Sequence, residues 1–443
     1  MSNLSAIRTP DALADQVRRT RRAAHELARL SGEQRRRILL AAADQLESRA
    51  DEILKANDED CRNLDLAIQK GAASAALAKR LKTSPSAITE MARQVRGVAA
   101  LADPVGQVLA TTELDDRLTL QKVSCPLGVV AVIFESRPDA IPQVGSLAIK
   151  TGNGLVLKGG AEARLTNRVL VSIWKDALNA HAPALADAVC ALEDRAEVLQ
   201  ILQLDRDIDL VVPRGSTEFV NFVFQHSRIP VLGHGSGICH IFVDAAADLA
   251  MAQEVIVDAK VQYPAACNSV EKVLVHQAIA QKFLPGLIKQ LNAAGVEVRG
   301  CPGTCQVAAG QHVVPATEED WRTEYGELKV TVKVVQDLHE AVDHINTYGS
   351  RHTESILTSD AGAAERFMDE VDAASVFHNA STRFADGFRY GLGAEIGVSN
   401  SKLHARGPVG LDGLLTYKYK LHGHGQIVAD YAQGKSTFKH RRR

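Results

Sequence analysis

No stretch of this chain approaches the ~18 consecutive apolar residues that a membrane-spanning helix requires. Its N-terminal segment carries Arg18, Arg19, Arg21 and Arg22 but no apolar run leading to a cleavage site, so it reads as having no signal peptide. Charge of either sign is not in excess: the formal net charge is -2, which removes any global electrostatic reason to bind nucleic acid or an anionic membrane. There is no internal repeat and no low-complexity segment. Cysteine is sparse and odd in number, seven in 443 residues at positions 61, 125, 190, 239, 267, 301 and 305. That dispersal excludes the dense, even framework of a small secreted domain and implies reduced thiols in the cytoplasm. Cys301 and Cys305 lie four apart, but no second Cys or His pair stands at structural-zinc spacing, so no metal site is expected. The G-x-G-x-x-G fingerprint of the common dinucleotide-binding turn is also missing, and any dinucleotide must be held by another geometry.

What remains is ordinary globular material, 46% hydrophobic and 5% aromatic, long enough for two or three domains. From Pro10 to Asp60 the apolar spacing is helical, with a capping box at Ser31 and Gln34. Leu114 to Val123 reads as one exposed or half-buried strand leaving the main body. A regular alternation follows: strands at 129–134, 155–158, 188–192 and 208–212, with amphipathic helices between them. Short apolar strands alternating with helices predict a parallel, doubly wound sheet. After the glycine-rich bend Gly233 to Gly237 and a strand at 238–243, a second α/β series begins near Ala246. Leu414 to Lys420 reads as a strand continued by Gly423 to Val428, and Lys435 to Arg443 as a solvated basic tail.

Cys267 is the residue that points to chemistry. It sits in Tyr263-Pro264-Ala265-Ala266-Cys267-Asn268-Ser269, a loop whose small residues leave room for a substrate and whose Asn268 offers an amide near the sulfur. A thiolate in such a setting, on a nucleotide-binding type of scaffold, suggests thioester chemistry coupled to a hydride carrier. The strand at 155–158 ends in Lys158-Gly159-Gly160, a cation and a permissive turn with no acid at the tip, which favours a 2′-phosphate and therefore NADP over NAD. Gly215-Ser216 opens a helix whose free amides suit a phosphate; Ser216 as a simple N-cap is the alternative.

Taken together, Cys125-Pro126-Leu127-Gly128, Phe134-Glu135-Ser136-Arg137-Pro138-Asp139, Gly152 to Gly160 and the Cys267 loop resemble the aldehyde dehydrogenase superfamily. Tyr263 to Asn268, Gly349-Ser350-Arg351-His352-Thr353-Glu354 and His378 to Gly387 narrow the resemblance to the gamma-glutamyl phosphate reductase family, from about Gln34 to Val428. The resemblance implies NADPH-dependent reduction of L-glutamyl 5-phosphate to glutamate 5-semialdehyde and phosphate, the second step of proline biosynthesis from glutamate. It implies two doubly wound α/β domains and a small β flap that adds to another subunit's sheet, in a dimer or tetramer. The expected boundaries are 1–113 with 124–245 for the NADP domain, 246–405 for the catalytic domain, 114–123 with 406–430 for the flap, and 431–443 for a disordered basic tail. Functional association with glutamate 5-kinase is expected, without a fused kinase domain, because the match starts close to Met1.

Candidate roles follow from the residues themselves and, for Glu324, from the resemblance. Cys267 is the nucleophile, with its own amide and the Asn268 region at the oxyanion. Lys158, Gly159, Gly215, Ser216 and Glu324 fall to the cofactor, Glu324 at the nicotinamide ribose. Glu135, Ser136, Arg137, His352, Glu354, Arg383 and Asp386 fall to a substrate that carries carboxylate, ammonium and phosphate groups; the alternative for Arg383 and Asp386 is an ion pair that merely fixes a loop. Oxidising, hydrolytic relatives carry a water-activating glutamate before the strand at 238–243, whereas this chain reads Val231-Leu232-Gly233-His234-Gly235 there. An enzyme that accepts an acyl phosphate is better without it.

Overall fold

The computed structural model describes residues 9–72, 75–135, 137–194, 196–233 and 235–442. The chain forms two compact units. The first comprises Met1–Leu232, Leu392–Gly397 and Val409–Arg443; the second comprises Gly233–Gly391 and Val398–Pro408.

The first unit opens on helices whose ends follow local chemistry. Ser31 accepts from Gln34 N (3.2 Å) and Gln34 Oε1 from Ser31 N (2.8 Å), the expected capping box at the start of Gly32–Ser48. Two long strands follow, β1 (Val108–Asp115) and β2 (Leu118–Pro126), and then four short ones: β3 (Val129–Phe134), β4 (Gly154–Lys158), β5 (Val189–Leu192) and β6 (Leu210–Arg214). The last four form a parallel sheet in the order β5-β4-β3-β6. Every residue of β3 and β4 is buried, as a sheet covered on both faces demands. Helices Ala140–Lys150 and Arg164–His181 cross closely because Gly145 leaves room for Trp174, whose indole would lie 2.3 Å from a Cβ there.

The segment expected as one strand at 114–123 is two. Asp116 and Arg117 make a tight turn between β1 and β2, Arg117 at φ 60° and Asp115 Oδ1 accepting from Asp116 N. No Asn-Gly or Asp-Gly announces it. The flap is therefore longer than expected: β2 pairs antiparallel with β1 and with Leu415–His422. Gly423 to Val428 does not continue that strand; a short helix, Val428–Ala432, follows. The basic tail is not loose either. Arg441–Arg442 pairs with β1, Lys439 N donates to Leu114 O (2.7 Å), and Tyr431 stacks on Phe438 at 4.2 Å between ring centroids. An unpaired edge of β1 accounts for the docking.

The second unit carries a wholly parallel seven-stranded sheet of β7 (Cys239–Val243), β8 (Val270–His276), β9 (Glu297–Gly300), β10 (Val314–Pro315), β11 (Lys329–Val335), β12 (Thr353–Leu357) and β13 (Ser375–His378), ordered β10-β9-β11-β8-β7-β12-β13. Alternation along the strands separates two cores. Ile241, Val243, Val273 and Val275 pack with Leu249–Val261 and Gln277–Ala293, whereas Phe242, Leu274 and Ile356 pack with Leu338–Tyr348 and Ala361–Glu370. The break falls at 232/233 rather than at the expected 245/246, because β7 belongs to this second sheet. Among the described residues, no helix is long and apolar enough to cross a membrane.

Candidate active site

In the second unit Cys267 lies on the loop between helix Leu249–Val261 and β8. Two features of the preceding segment hold that loop. Gly237 stands so close that a Cβ would lie 2.1 Å from Cys267 O and 2.7 Å from its Cα, so no side chain fits without moving the nucleophile's own main chain. Two residues on, Cys239 Sγ donates to Cys267 O at 3.2 Å. Burial pushes the Cys239 thiol up, with Glu354 and Cys267 adding to the effect, which keeps it protonated as a donor. His352 Nδ1 lies 3.7 Å from Cys239 Sγ and 2.8 Å from Thr353 Oγ1. None of the seven cysteines is in a disulfide.

Asn268 is buried, and its Nδ2 donates to Ala385 O at 2.7 Å. Its carboxamide thus anchors the short 3-10 turn Thr382–Phe384 to the cysteine loop. That turn presents Arg383, which is only 8% exposed. Arg383 Nε donates to Gln262 Oε1 at 2.9 Å, and the guanidinium lies 5.8 Å from the Tyr263 ring centroid. Among the described residues no carboxylate is within ion-pair distance of it. Burial pulls its pKa down, Arg389 adds to that, and Asp386 and the Cys267 sulfur oppose it. Asp386 does not pair with it: Asp386 Oδ1 accepts from Phe388 N (3.0 Å) and Arg389 N (3.1 Å) instead. The loop-fixing ion pair is thereby ruled out, and a buried cation without a carboxylate partner stands beside a thiol loop.

Glu354 differs from its expected place at the substrate. Every residue of β12 is buried, and Glu354 Oε2 accepts from His240 N (2.6 Å) and faces His240 Nδ1 (2.9 Å). Burial holds its carboxyl well above the usual carboxylate range and His240 down at about 3, so the pair is neutral and internal. His352 is likewise 1% exposed and faces Cys239. Glu324 is half-buried in the turn before β11; among the described residues its carboxylate makes no hydrogen bond or ion pair.

In the first unit, Glu135 follows β3 and is exposed; a Cβ on Gly215 would lie 3.3 Å from its carboxyl carbon. Arg137 pairs with Asp139 at 3.1 Å. Ser136 lies outside the described residues. Ser216 is the N-cap of Thr217–His226, accepting from Phe219 N at 3.3 Å, so the alternative reading of that serine describes its local role. Lys158 ends β4, and its Nζ donates to Gly159 O at 2.6 Å.

A cavity of about 200 Å³ opens at this end of the sheet. Phe134, Ile141, Leu157 and Val171 give it apolar walls, Gly159 and Gly160 its floor, and Arg164, Arg168 and Lys175 its charge. A Cβ on Gly159 would meet Asn167 at 2.2 Å, so glycine keeps the turn close-packed. The acid lining the cavity, Glu193, is engaged by Arg168 at 2.7 and 2.5 Å. Apolar walls suit a flat base, and cations with a neutralised acid suit a phosphate. The three cations were missed in the sequence, although 164, 168 and 175 share one helical face directly after the glycine pair. Gly237 and Cys239 were missed as well; only the glycine bend hinted at them. Among the described residues no cluster of His, Cys, Asp or Glu is able to hold a metal ion.

The family model described as "Aldehyde dehydrogenase family" matches residues 6–306. A gamma-glutamyl phosphate reductase from Cyanothece sp. is 52% identical, the match covering 99% of this chain and 100% of that one. The crystal structure of a gamma-glutamyl phosphate reductase from Thermotoga maritima superposes with a TM-score of 0.90 at 40% identity, covering 94% of this chain and 99% of that one. A glyceraldehyde-3-phosphate dehydrogenase from Methanocaldococcus jannaschii, solved with NADP, shares the fold at 16% identity, with a TM-score of 0.66 and coverage of 94% and 95%.

Proposed function

The chain belongs to the aldehyde dehydrogenase family, among its gamma-glutamyl phosphate reductases, and we propose that it reduces L-glutamyl 5-phosphate to glutamate 5-semialdehyde and phosphate through a thioester on Cys267. The observation that carries this reading is Arg383, a buried cation without a carboxylate partner beside the cysteine loop. It suits an anionic substrate and steadies the thiolate.

The Cys267 thiolate attacks the acyl carbon; the S–C bond forms, the C–O bond to phosphorus breaks, and phosphate leaves with the electron pair. The main-chain amide of Cys267 faces the charge that gathers on the carbonyl oxygen. NADPH, when bound, supplies the hydride that reduces the thioester. The C–S bond then breaks, its electrons return to Cys267, and the aldehyde is released. Arg164, Arg168 and Lys175 around the 200 Å³ cavity, with Lys158 at the end of β4, fit the adenosine 2′-phosphate, Gly215 and the Ser216 helix start fit the pyrophosphate, and Glu324 is assigned to the nicotinamide ribose. Glu135, Arg137, Arg383 and Asp386 are assigned to the substrate. Glu354 and His352 are buried behind the loop and are not assigned contacts with it. The exposed Tyr417, Tyr419 and Leu421 on the outer flap strand suit pairing with a second copy of the chain.

The test runs the reaction backward, following NADPH formation from glutamate 5-semialdehyde and NADP⁺ with and without phosphate. Phosphate-dependent formation is expected; formation indifferent to phosphate points instead to hydrolytic aldehyde oxidation. Cys267→Ala and Cys267→Ser should abolish turnover while NADPH binding persists, and retained turnover removes Cys267 from the mechanism.

A further inference from the structure

We propose that Lys260, Glu271 and Lys272 form a buried clamp that sets the 323–327 turn and so presents the Glu324 carboxylate to the ribose of the bound nicotinamide cofactor. The inference rests on the reading of Glu324 given above and assigns a positioning role to three residues that the mechanism otherwise leaves unused. Lys260 closes helix Leu249–Val261, and Glu271 and Lys272 open β8, so the three bracket the Cys267 loop on either side. None is more than 1% exposed.

Their charged ends bond four main-chain groups of one turn. Lys272 Nζ donates to Thr323 O (2.7 Å) and Lys260 Nζ to Glu327 O (3.1 Å). Glu271 Oε2 accepts from Tyr325 N (3.2 Å) and Glu271 Oε1 from Gly326 N (3.3 Å), while Lys260 and Glu271 pair at 3.1 Å. Gly326 turns through φ 63°, and the Tyr325 ring lies 4.4 Å from Lys272 Nζ. Tyr325 is fixed in turn by its hydroxyl, 2.7 Å from Asp320 Oδ1 and 2.6 Å from Thr331 Oγ1. Glu324 stands between two clamped neighbours, its own carboxylate without an ion pair or hydrogen bond among the described residues.

Stability alone is a poor account of such a triad. Burial pulls both lysines down, Lys272 to about 8, and pushes Glu271 up, the signature of desolvation opposing the charged forms. Buried ion pairs of this kind are often replaceable by apolar residues without loss of stability. An irregular turn whose partly buried peptide groups have no ladder of their own needs bonding partners, and long charged side chains from the two elements flanking the nucleophile supply them. The turn and the cysteine loop are thereby referenced to the same helix and strand.

The test is a double-mutant cycle on the full-length enzyme, reading kcat for NADPH formation, the Kd of NADPH by fluorescence, and the deuterium isotope effect with 4-deuterated NADPH in the reductive direction. Glu324→Gln should lower kcat by tenfold or more and enlarge the isotope effect. Glu271→Gln, which retains the Glu324 side chain but loosens the turn that presents it, should reproduce that signature at unchanged NADPH affinity. The double variant should be no worse than the worse single. Lys272→Met takes the same place in the cycle if Glu271→Gln does not fold. A normal kcat in Glu271→Gln and Lys272→Met beside a crippled Glu324→Gln overturns the clamp and leaves the Glu324 reading intact, as do losses that multiply in the double variant. A normal Glu324→Gln overturns the Glu324 reading and the clamp with it.

Discussion

Replacing Gly237 by alanine should slow catalysis about a hundredfold while leaving the protein folded. The added Cβ would lie 2.1 Å from Cys267 O, 2.7 Å from its carbonyl carbon and 2.7 Å from its Cα. Ordinary contact begins near 3.4 Å, so the two segments must part by about 1 Å. Main chain stands on the far side of the contact, and no flexible side-chain end is there to yield. Gly237 is not among the residues with positive φ, so alanine adopts its conformation without backbone strain and the effect is steric alone. The displaced carbonyl is also the acceptor of the Cys239 thiol, whose hydrogen bond weakens with it. A shift of that size at the reacting atom is associated with a rate loss of roughly 10², and overpacking of this kind with about 1 to 3 kcal/mol of stability. The assay pairs kcat for phosphate-dependent NADPH formation with the rate of Cys267 alkylation in the native protein, Cys267→Ala serving as the blank, and with a melting curve. A folded Gly237→Ala enzyme that turns over and alkylates at the wild-type rate refutes the claim that Gly237 sets the position of the nucleophile.

Two further outcomes follow from the same geometry. Arg383→Gln removes the charge but keeps a donor toward Gln262; the loss of a charge-assisted bond to the substrate, about 1.5 to 3 kcal/mol, should lower kcat/KM roughly 10- to 100-fold, and an unchanged value removes Arg383 from the substrate site. His344 is buried against Trp321 and Tyr348, and burial holds its imidazole at about 2 against an ordinary 6.5. The unfolded chain therefore binds a proton that the native state refuses, so the contribution is complete above pH 6.5 and is lost as the pH falls below it. By pH 5 the loss is about 2 kcal/mol. His344→Phe keeps the ring packing, and the difference between its stability curve and the wild type's between pH 7 and 5, measured by denaturant unfolding, should show that slope; parallel curves exclude it.

Local chemistry was legible without coordinates. The alternation of short apolar strands with amphipathic helices, the Ser31–Gln34 capping box and the small-residue loop around Cys267 all act over a few residues, and the chain folds there as its neighbours dictate. What lay beyond that reach required the tertiary structure. Arg383 meets the cysteine loop through Gln262, 121 residues away in sequence, and only the fold shows that Asp386 caps its own turn instead of pairing with it. On sequence alone Glu354 falls to the substrate, because nothing in a linear pattern reveals that its strand is buried along its whole length. The tail read as solvated because its composition is basic, yet the free edge of β1 gives its backbone a partner, with Tyr431 reaching Asp115 across 316 residues. Sequence determined which elements form and which residue is chemically equipped to react. The neighbours that desolvate, clamp and orient that residue are set by contacts distant along the chain, and spacing alone does not encode them.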